Sequence, residues 1–258
     1  MHPTTQEIDE LLRQVRDKLL PHYGNVAFEE KTKDTHDLVT KLDQETEIFL
    51  HEHLEKMYPD IVFVGEETGG DRSATKKWLC DPIDGTFHFI RGLPYCTTML
   101  ALIENGVVTM GFIYDFVNDV LYSAERGKGA FENGKPIHVS NRPMKHSMLS
   151  WENQKNTKGN VSRCNRLWNA SDSFKTLNAG HEFALVASGK IEGRITFDPY
   201  GKDYDFAPGT LLVEEAGGIV ANLGSRKYDY TNLDFIAANP IMFKELTEGE
   251  DAIFPIEK

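Results

Sequence analysis

The densest chemistry in this chain is the string Asp81-Pro82-Ile83-Asp84-Gly85-Thr86. It follows the apolar run Trp78-Leu79-Cys80, which reads as the end of a buried strand, so two carboxylates leave a strand end together. Pro82 locks φ and stiffens the turn, which holds Asp81 and Asp84 at the set separation a hard cation needs. Gly85 lets the backbone approach a ligand closely, and Thr86 opens a short segment running to Arg91 that Gly92 and Pro94 stop. Folded as a helix, that segment points its first N–H groups and its dipole at whatever the aspartates bind, which suits a phosphate.

Three further carboxylates stand at element ends. Ile61 to Val64 reads as a short buried strand that delivers Gly65-Glu66-Glu67-Thr68. Adjacent glutamates there point different ways, one toward a metal and its neighbour toward a second metal or a water. Asp205 stands directly before FAPGTLLVEEAGG, a helix that it would N-cap, and so lies at a positive helix end. Oxygen donors without a competing His or Cys cluster select Mg²⁺, Mn²⁺ or Ca²⁺ over zinc. Two or three such ions would clamp a phosphate and acidify a water, so the chemistry that fits is phosphate ester hydrolysis. Phosphatases that form an aspartyl-phosphate use Asp-x-Asp-Gly-Thr, whereas Asp81 and Asp84 are three apart, which favours water as nucleophile. A non-catalytic protein binding divalent cations or phosphate is the alternative of a different class, and retention of Thr86 and Glu67 argues against it.

The elements that must position these groups are legible in outline. Ile8, Leu11, Leu12, Val15 and Leu19 recur at helical spacing, giving a first helix from a cap at Thr4 or Thr5 to Pro21. A second helix starts near Asp43 and is expected to bury Ile48, Leu50, Leu54 and Met57. Between them, Lys31, Lys33, Asp37 and Asp43 are candidate contributors to the site. From Thr97 to Val139 the pattern is an antiparallel meander with turns at Asn105-Gly106, Asn118-Asp119 and Asn133-Gly134. The pattern changes near Pro143, dividing the chain into residues 1–143, with both strand-end motifs, and 144–258, with Asp205 and the substrate pocket. Residues 152–176 read as loop with a short helix, and Gly180 to Ser188 as a helix stopped by Gly189.

Composition limits the partners. The 258 residues carry a formal net charge of −12 and no Lys/Arg cluster, which argues against a nucleic acid polymer or an anionic membrane surface. Three widely spaced cysteines without a ligand or disulfide pattern imply a reducing, cytoplasmic setting. The N-terminus is too charged for a secretory signal, and no apolar run approaches the roughly 18 residues of a membrane helix.

Gly65-Glu66-Glu67, the string WLCDPIDGT from Trp78 to Thr86, and Asp205-Phe206-Ala207-Pro208-Gly209 followed by EEAGG resemble the three signatures of the inositol monophosphatase family, in matching order. The resemblance implies an α/β protein, a layered αβαβα sandwich of the inositol monophosphatase and fructose-1,6-bisphosphatase type. It also implies a homodimer hydrolysing a small phosphorylated metabolite with two or three Mg²⁺ ions, with Mn²⁺ as a substitute and Li⁺ and Ca²⁺ as inhibitors. On that resemblance Glu66, Asp81 and the Ile83 carbonyl hold a first metal, and Asp81, Asp84 and Asp205 a second. Thr86, with Glu67 or Asp43 behind it, activates the water, and the Gly85 and Thr86 N–H groups hold the phosphate. Asp84, Asp198, Gly180 and His181 fall where the family binds substrate. The chain departs from the pattern at Tyr204, where the family has Trp. It departs again at Gly180-His181-Glu182-Phe183, in place of Gly followed by small residues, and in lacking the usual upstream Arg. A His at 181, with Arg194 and Lys202 near it, would narrow the pocket and favour fructose 1,6-bisphosphate, NADP or a 3′-phosphonucleotide over inositol 1-phosphate.

Overall fold

The structure, a computed structural model, describes residues 2–30 and 38–256, so Lys31, Lys33 and Asp37 lie outside the described residues. Helix α1 (Thr5–Leu19) starts at the cap Thr4, whose side chain and Glu7 satisfy each other's backbone donors. A short ladder of β1 (Phe28–Glu30) and β2 (Leu38–Thr40) leads into α2 (Lys41–Met57). A sheet of seven strands follows in simple chain order: β3 (Val62–Gly65), β4 (Lys76–Asp84), β5 (Thr97–Glu104), β6 (Val107–Asp115), β7 (Val120–Glu125), β8 (Gly129–Glu132) and β9 (Lys135–Ile137). Only β3 and β4 pair in parallel, and the rest form the expected meander. Helix α3 (Thr86–Arg91) is inserted between β4 and β5 and ends on Gly92 in the left-handed region.

The second sheet comprises β10 (Met148–Glu152), β11 (Asp172–Lys175), β12 (Gly193–Thr196), β13 (Ile219–Asn222) and β14 (Phe235–Ala238), in the spatial order β11-β10-β12-β14-β13. Its helices are α4 (Lys158–Ala170), α5 (Ala179–Ala187), α6 (Asp203–Glu215) and α7 (Pro240–Thr247). The stretch 152–176, expected as loop with a short helix, is thus mostly regular, with a 13-residue helix capped by Thr157. Its polar face is solvated and only Asn160 and Leu167 are buried, so too few apolar residues repeat to betray the helix.

Three cores stack these elements into five layers. On one face of the large sheet α1 and α2 bury Ile8, Leu12, Leu50 and Leu54 against Trp78, Leu100, Leu102 and Phe112. The opposite face meets α5 and α6 in a core of Leu79, Met99, Ala101, Phe183, Phe206 and Leu211, which continues into Phe235 and Ala237 of the second sheet. Leu149, Trp151, Ile195 and Ile236 face outward against Leu167 of α4 and Met242 and Phe243 of α7. The order is αβαβα, the expected α/β sandwich. Close approach in the middle layer depends on glycine: a Cβ on Gly209 would lie 2.1 Å from the Phe183 ring. One helical expectation was off by a face. Ile48 is 47% exposed, and α2 instead turns Asp43, Thr46 and Glu47 inward, because that side of the helix meets polar strand ends rather than the apolar sheet.

Candidate active site

The site forms where β3, β4 and the start of α6 converge. β4 runs on through the motif to Asp84, with its register against β5 irregular between Asp81 and Asp84, so the two aspartates sit on a distorted strand rather than in a turn beyond it. Pro82, which has no N–H to give a ladder, accounts for the irregularity. Gly85 adopts φ 89°, and a Cβ there would meet the Tyr95 carbonyl at 2.4 Å, so the close turn into α3 requires glycine. Asp205 is not the N-cap of α6: Lys202 takes that place, and Asp205 lies three residues in, its carboxylate accepting from the Lys202 N–H.

These placements bring Asp81, Asp84 and Asp205 together, with one oxygen of each within 4.8 Å of the others. Burial pushes the Asp81 carboxyl well above its ordinary value, and the charges of Glu66, Asp205 and Asp84 push it further. Asp205 is raised by burial and then by Glu66 and Asp84. Asp84 is raised by burial, against the Gly180 N–H, His181 and Arg194, which favour its charge. Among the described residues no Lys or Arg pairs with any of the three. Converging, buried, all-oxygen donors whose carboxyls are raised and which pair with no Lys or Arg fit a hard divalent cation.

Around this trio the expected residues divide. Thr86 Oγ1 is 2.9 Å from Asp43 Oδ1 and 3.0 Å from the Ile83 carbonyl oxygen, so its single proton is shared between two acceptors. Asp43 Oδ2 accepts from the Thr40 N–H and hydroxyl, which fixes the carboxylate. Glu66, Glu67, Asp84, Gly85 and Asp205 line a cavity of about 870 Å³, together with Tyr204, Phe87, His88, Lys175, Tyr200 and Lys202. Tyr204, in the position of the family's Trp, keeps an aromatic wall.

The substrate-side expectations fare differently. Gly180 is buried and donates its N–H to Asp84 Oδ2 at 2.7 Å. His181 does not narrow the cavity: its ring lies between Asn178 Oδ1 at 2.8 Å and Asp115 Oδ2 at 3.1 Å, held on the β6 side by those acceptors. Glu182 is 2% exposed and binds the equally buried Arg194, so neither adds charge to the cavity. Asp198 pairs with Lys155 at 2.6 Å and is not among the lining residues.

Two positioning residues were missed. Glu47 accepts from the Glu67 N–H at 2.8 Å and the Thr68 N–H at 2.7 Å, anchoring the Glu66-Glu67 loop to α2. Its spacing of four from Asp43 on a helix was a signal that both face one way. Asn178, the N-cap of α5, donates Nδ2–H to the Asp84 carbonyl at 2.9 Å and so joins α5 to the metal-motif strand. Only the pairing of remote segments reveals that.

Residues 2–251 match the inositol monophosphatase family, and the chain belongs to that family of phosphatases acting on phosphate monoesters. It is 32% identical over 241 residues to a fructose-1,6-bisphosphatase/inositol-1-monophosphatase of Thermotoga maritima, an alignment covering 92% of each chain. It is also 32% identical over 225 residues to inositol monophosphatase 1 of Solanum lycopersicum, covering 83% of this chain and 82% of that one. The solved structure of a Thermotoga maritima IMPase matches with a TM-score of 0.84 at 29% identity, covering 93% of this chain and 94% of the other.

Proposed function

We propose that the chain hydrolyses a small phosphate monoester with Mg²⁺, using water as the nucleophile. The observation that carries this reading is the convergence of Asp81, Asp84 and Asp205, of which Asp84 and Asp205 line the cavity. Glu66 and the Ile83 carbonyl would complete the donor set, and bound cations supply neutralisation of the phosphate oxygens and a more acidic water.

The chain's own residues do the rest. Thr86 donates its hydroxyl hydrogen bond toward Asp43 and the Ile83 carbonyl, leaving its oxygen lone pairs to orient the water. Glu67, whose loop Glu47 anchors, takes the proton that the water loses as its oxygen bonds to phosphorus, and that proton passes to the leaving oxygen as the P–O bond to the alcohol breaks. The Gly85 and Thr86 N–H groups hold the phosphate where the strained turn presents them. Family likeness supports a homodimer, and the free, buried Cys80 and Cys96 support a reducing cytoplasmic setting. No described helix is long and apolar enough to cross a membrane.

A specific observation favours a substrate with a second anionic group. Lys175 and Lys202 line the same cavity as Glu66, Glu67, Asp84 and Asp205, and Lys175 Nζ stands 5.3 Å from the Tyr200 ring centre. Lys155 nearby is tied to Asp198, whereas Lys175 and Lys202 pair with no carboxylate among the described residues. This replaces His181 as the basis for expecting a bisphosphorylated sugar or a phosphorylated nucleotide.

Phosphate release from inositol 1-phosphate, fructose 1,6-bisphosphate, NADP and 3′-phosphoadenosine 5′-phosphate, with and without Mg²⁺, tests both readings. No Mg²⁺-dependent release from any of them overturns the activity. A clear lead for inositol 1-phosphate overturns the second-anion reading alone. Li⁺ and Ca²⁺ are expected to inhibit, and light scattering tests the dimer.

A further inference from the structure

Beside the aspartates, the cavity has two walls that come from distant parts of the chain, one tied to Asp84 through Asn178 and the other to Asp205 through the Lys202 N–H. One is the strap Lys175-Thr176-Leu177-Asn178 between β11 and α5; the other is Tyr200-Gly201-Lys202 ahead of α6. Between and behind them lies Arg194 on β12, fully buried. Its Nη2 donates to Glu152 Oε2 at 2.6 Å, and its Nη1 donates to Glu182 Oε2 and, at 3.1 Å, to Thr176 Oγ1. The Phe183 and Phe206 rings pack against the guanidinium with centres at 5.1 and 5.4 Å.

Each glutamate then uses its other oxygen on a wall. Glu152 Oε1 accepts from the Tyr200 N–H at 2.9 Å and the Gly201 N–H at 2.8 Å. Glu182 Oε1 accepts from the Leu177 N–H at 2.7 Å and from Thr176 Oγ1 at 3.0 Å. Glu152 and Glu182 are 4% and 2% exposed, so neither could keep its charge there without the cation.

We propose that Arg194 is a positioning residue that, through Glu152 and Glu182, sets the spacing of the two substrate-binding walls of the cavity. The departure at 182 from the family pattern then has a counterpart in this chain: the carboxylate in place of a small residue is matched by the Arg194 guanidinium on β12. The walls contact the alcohol portion of the substrate and not the reacting phosphorus, so loosening them weakens ground-state and transition-state binding alike.

This inference rests on the phosphatase reading, and amide exchange separates the two because it needs no turnover. Arg194→Met alone strands two buried carboxylates and risks misfolding, so the main test is the neutral variant Arg194→Met/Glu152→Gln/Glu182→Gln, which leaves no buried charge unpaired. In this folded variant the Leu177 amide and the Tyr200 and Gly201 amides are both expected to exchange at least about tenfold faster than in the parent. Its KM for the best substrate of the parent should rise about tenfold, with kcat within about twofold. Parent-like exchange at either wall, or a parent KM in the folded variant, overturns the proposal. Faster exchange at both walls in a parent without Mg²⁺-dependent turnover would overturn the phosphatase reading and leave the clamp standing.

Discussion

Two buried acidic groups lie beside the cavity, and they differ in where their positive charge comes from. Glu152 and Glu182 enclose Arg194, so the second sheet carries its own counter-charge and both carboxylates spend their remaining oxygens on backbone N–H groups. Asp81, Asp84 and Asp205 have no such ion-pair partner among the described residues; burial raises all three carboxyls, and neighbouring carboxylates raise Asp81 and Asp205 further. Buried carboxylates need positive charge in either case. Built into the chain, that charge makes a structural clamp. Left out, it leaves a cluster suited to a cation from solution, as the proposed function requires, and the absence of an internal partner is what distinguishes the proposed metal site from the structural clamp.

Removing a charge should therefore act in opposite ways on the two groups. Asp84→Asn and Asp205→Asn are each expected to lower phosphate release at saturating Mg²⁺ by at least about 10³. The melting temperature without metal should hold or rise, because a buried ionisable carboxyl is replaced by a neutral amide. Turnover near the parent's in either variant would dissolve the contrast. Arg194→Met should do the reverse and destabilise the fold by about 3–5 kcal/mol in denaturant titration, since it leaves two buried carboxylates uncompensated. A loss below about 1 kcal/mol would mean that Glu152 and Glu182 are solvated or protonated and that the two groups do not differ as described.

Smaller effects sharpen the comparison at its edges. Thr86→Ala is expected to lower kcat about 100-fold with little change in KM, because the hydroxyl acts on the water and not on the bound alcohol. An effect confined to KM would reassign Thr86 to holding the phosphate. The smallest change concerns the Asp115–His181 contact, which lies beside the metal motif without belonging to it. Burial raises the Asp115 carboxyl, but hydrogen bonds from His181 and from the side chain and N–H of Asn118 outweigh it and leave it below its ordinary value of 3.8. Its contribution is therefore complete above the ordinary carboxylate value and is lost as pH falls through the depressed one. Asp115→Asn should cost about 1 kcal/mol at neutral pH and flatten the acid limb of a melting curve taken against pH. An unchanged acid limb would show that the contact carries no linkage. His181→Ser, given where the ring lies, should leave the substrate ranking as it is.

The metal motifs were legible because they are local. Asp81 and Asp84 sit within four residues, and strand periodicity alone places Glu66 and Glu67 at a neighbouring strand end. The first helix and the meander follow from apolar spacing in the same way, and the layered α/β class from the family resemblance of the motifs. The sequence misled where a residue's neighbours come from elsewhere in the chain. Ile48 looked as apolar as Leu50 but faces solvent, and Asp205 looked like a cap although α6 begins at Asp203. His181 and Glu182 looked like pocket residues because the stretch they replace has that role in the family.

What the sequence determined by itself was the chemistry available, an all-oxygen donor set beside a threonine, and the αβαβα order that carries it. Tertiary structure alone decided which carboxylates meet each other and which meet an arginine. Composition records how many charges there are, but compensation depends on distances within a few ångströms across two sheets, and no spacing along the chain encodes those distances.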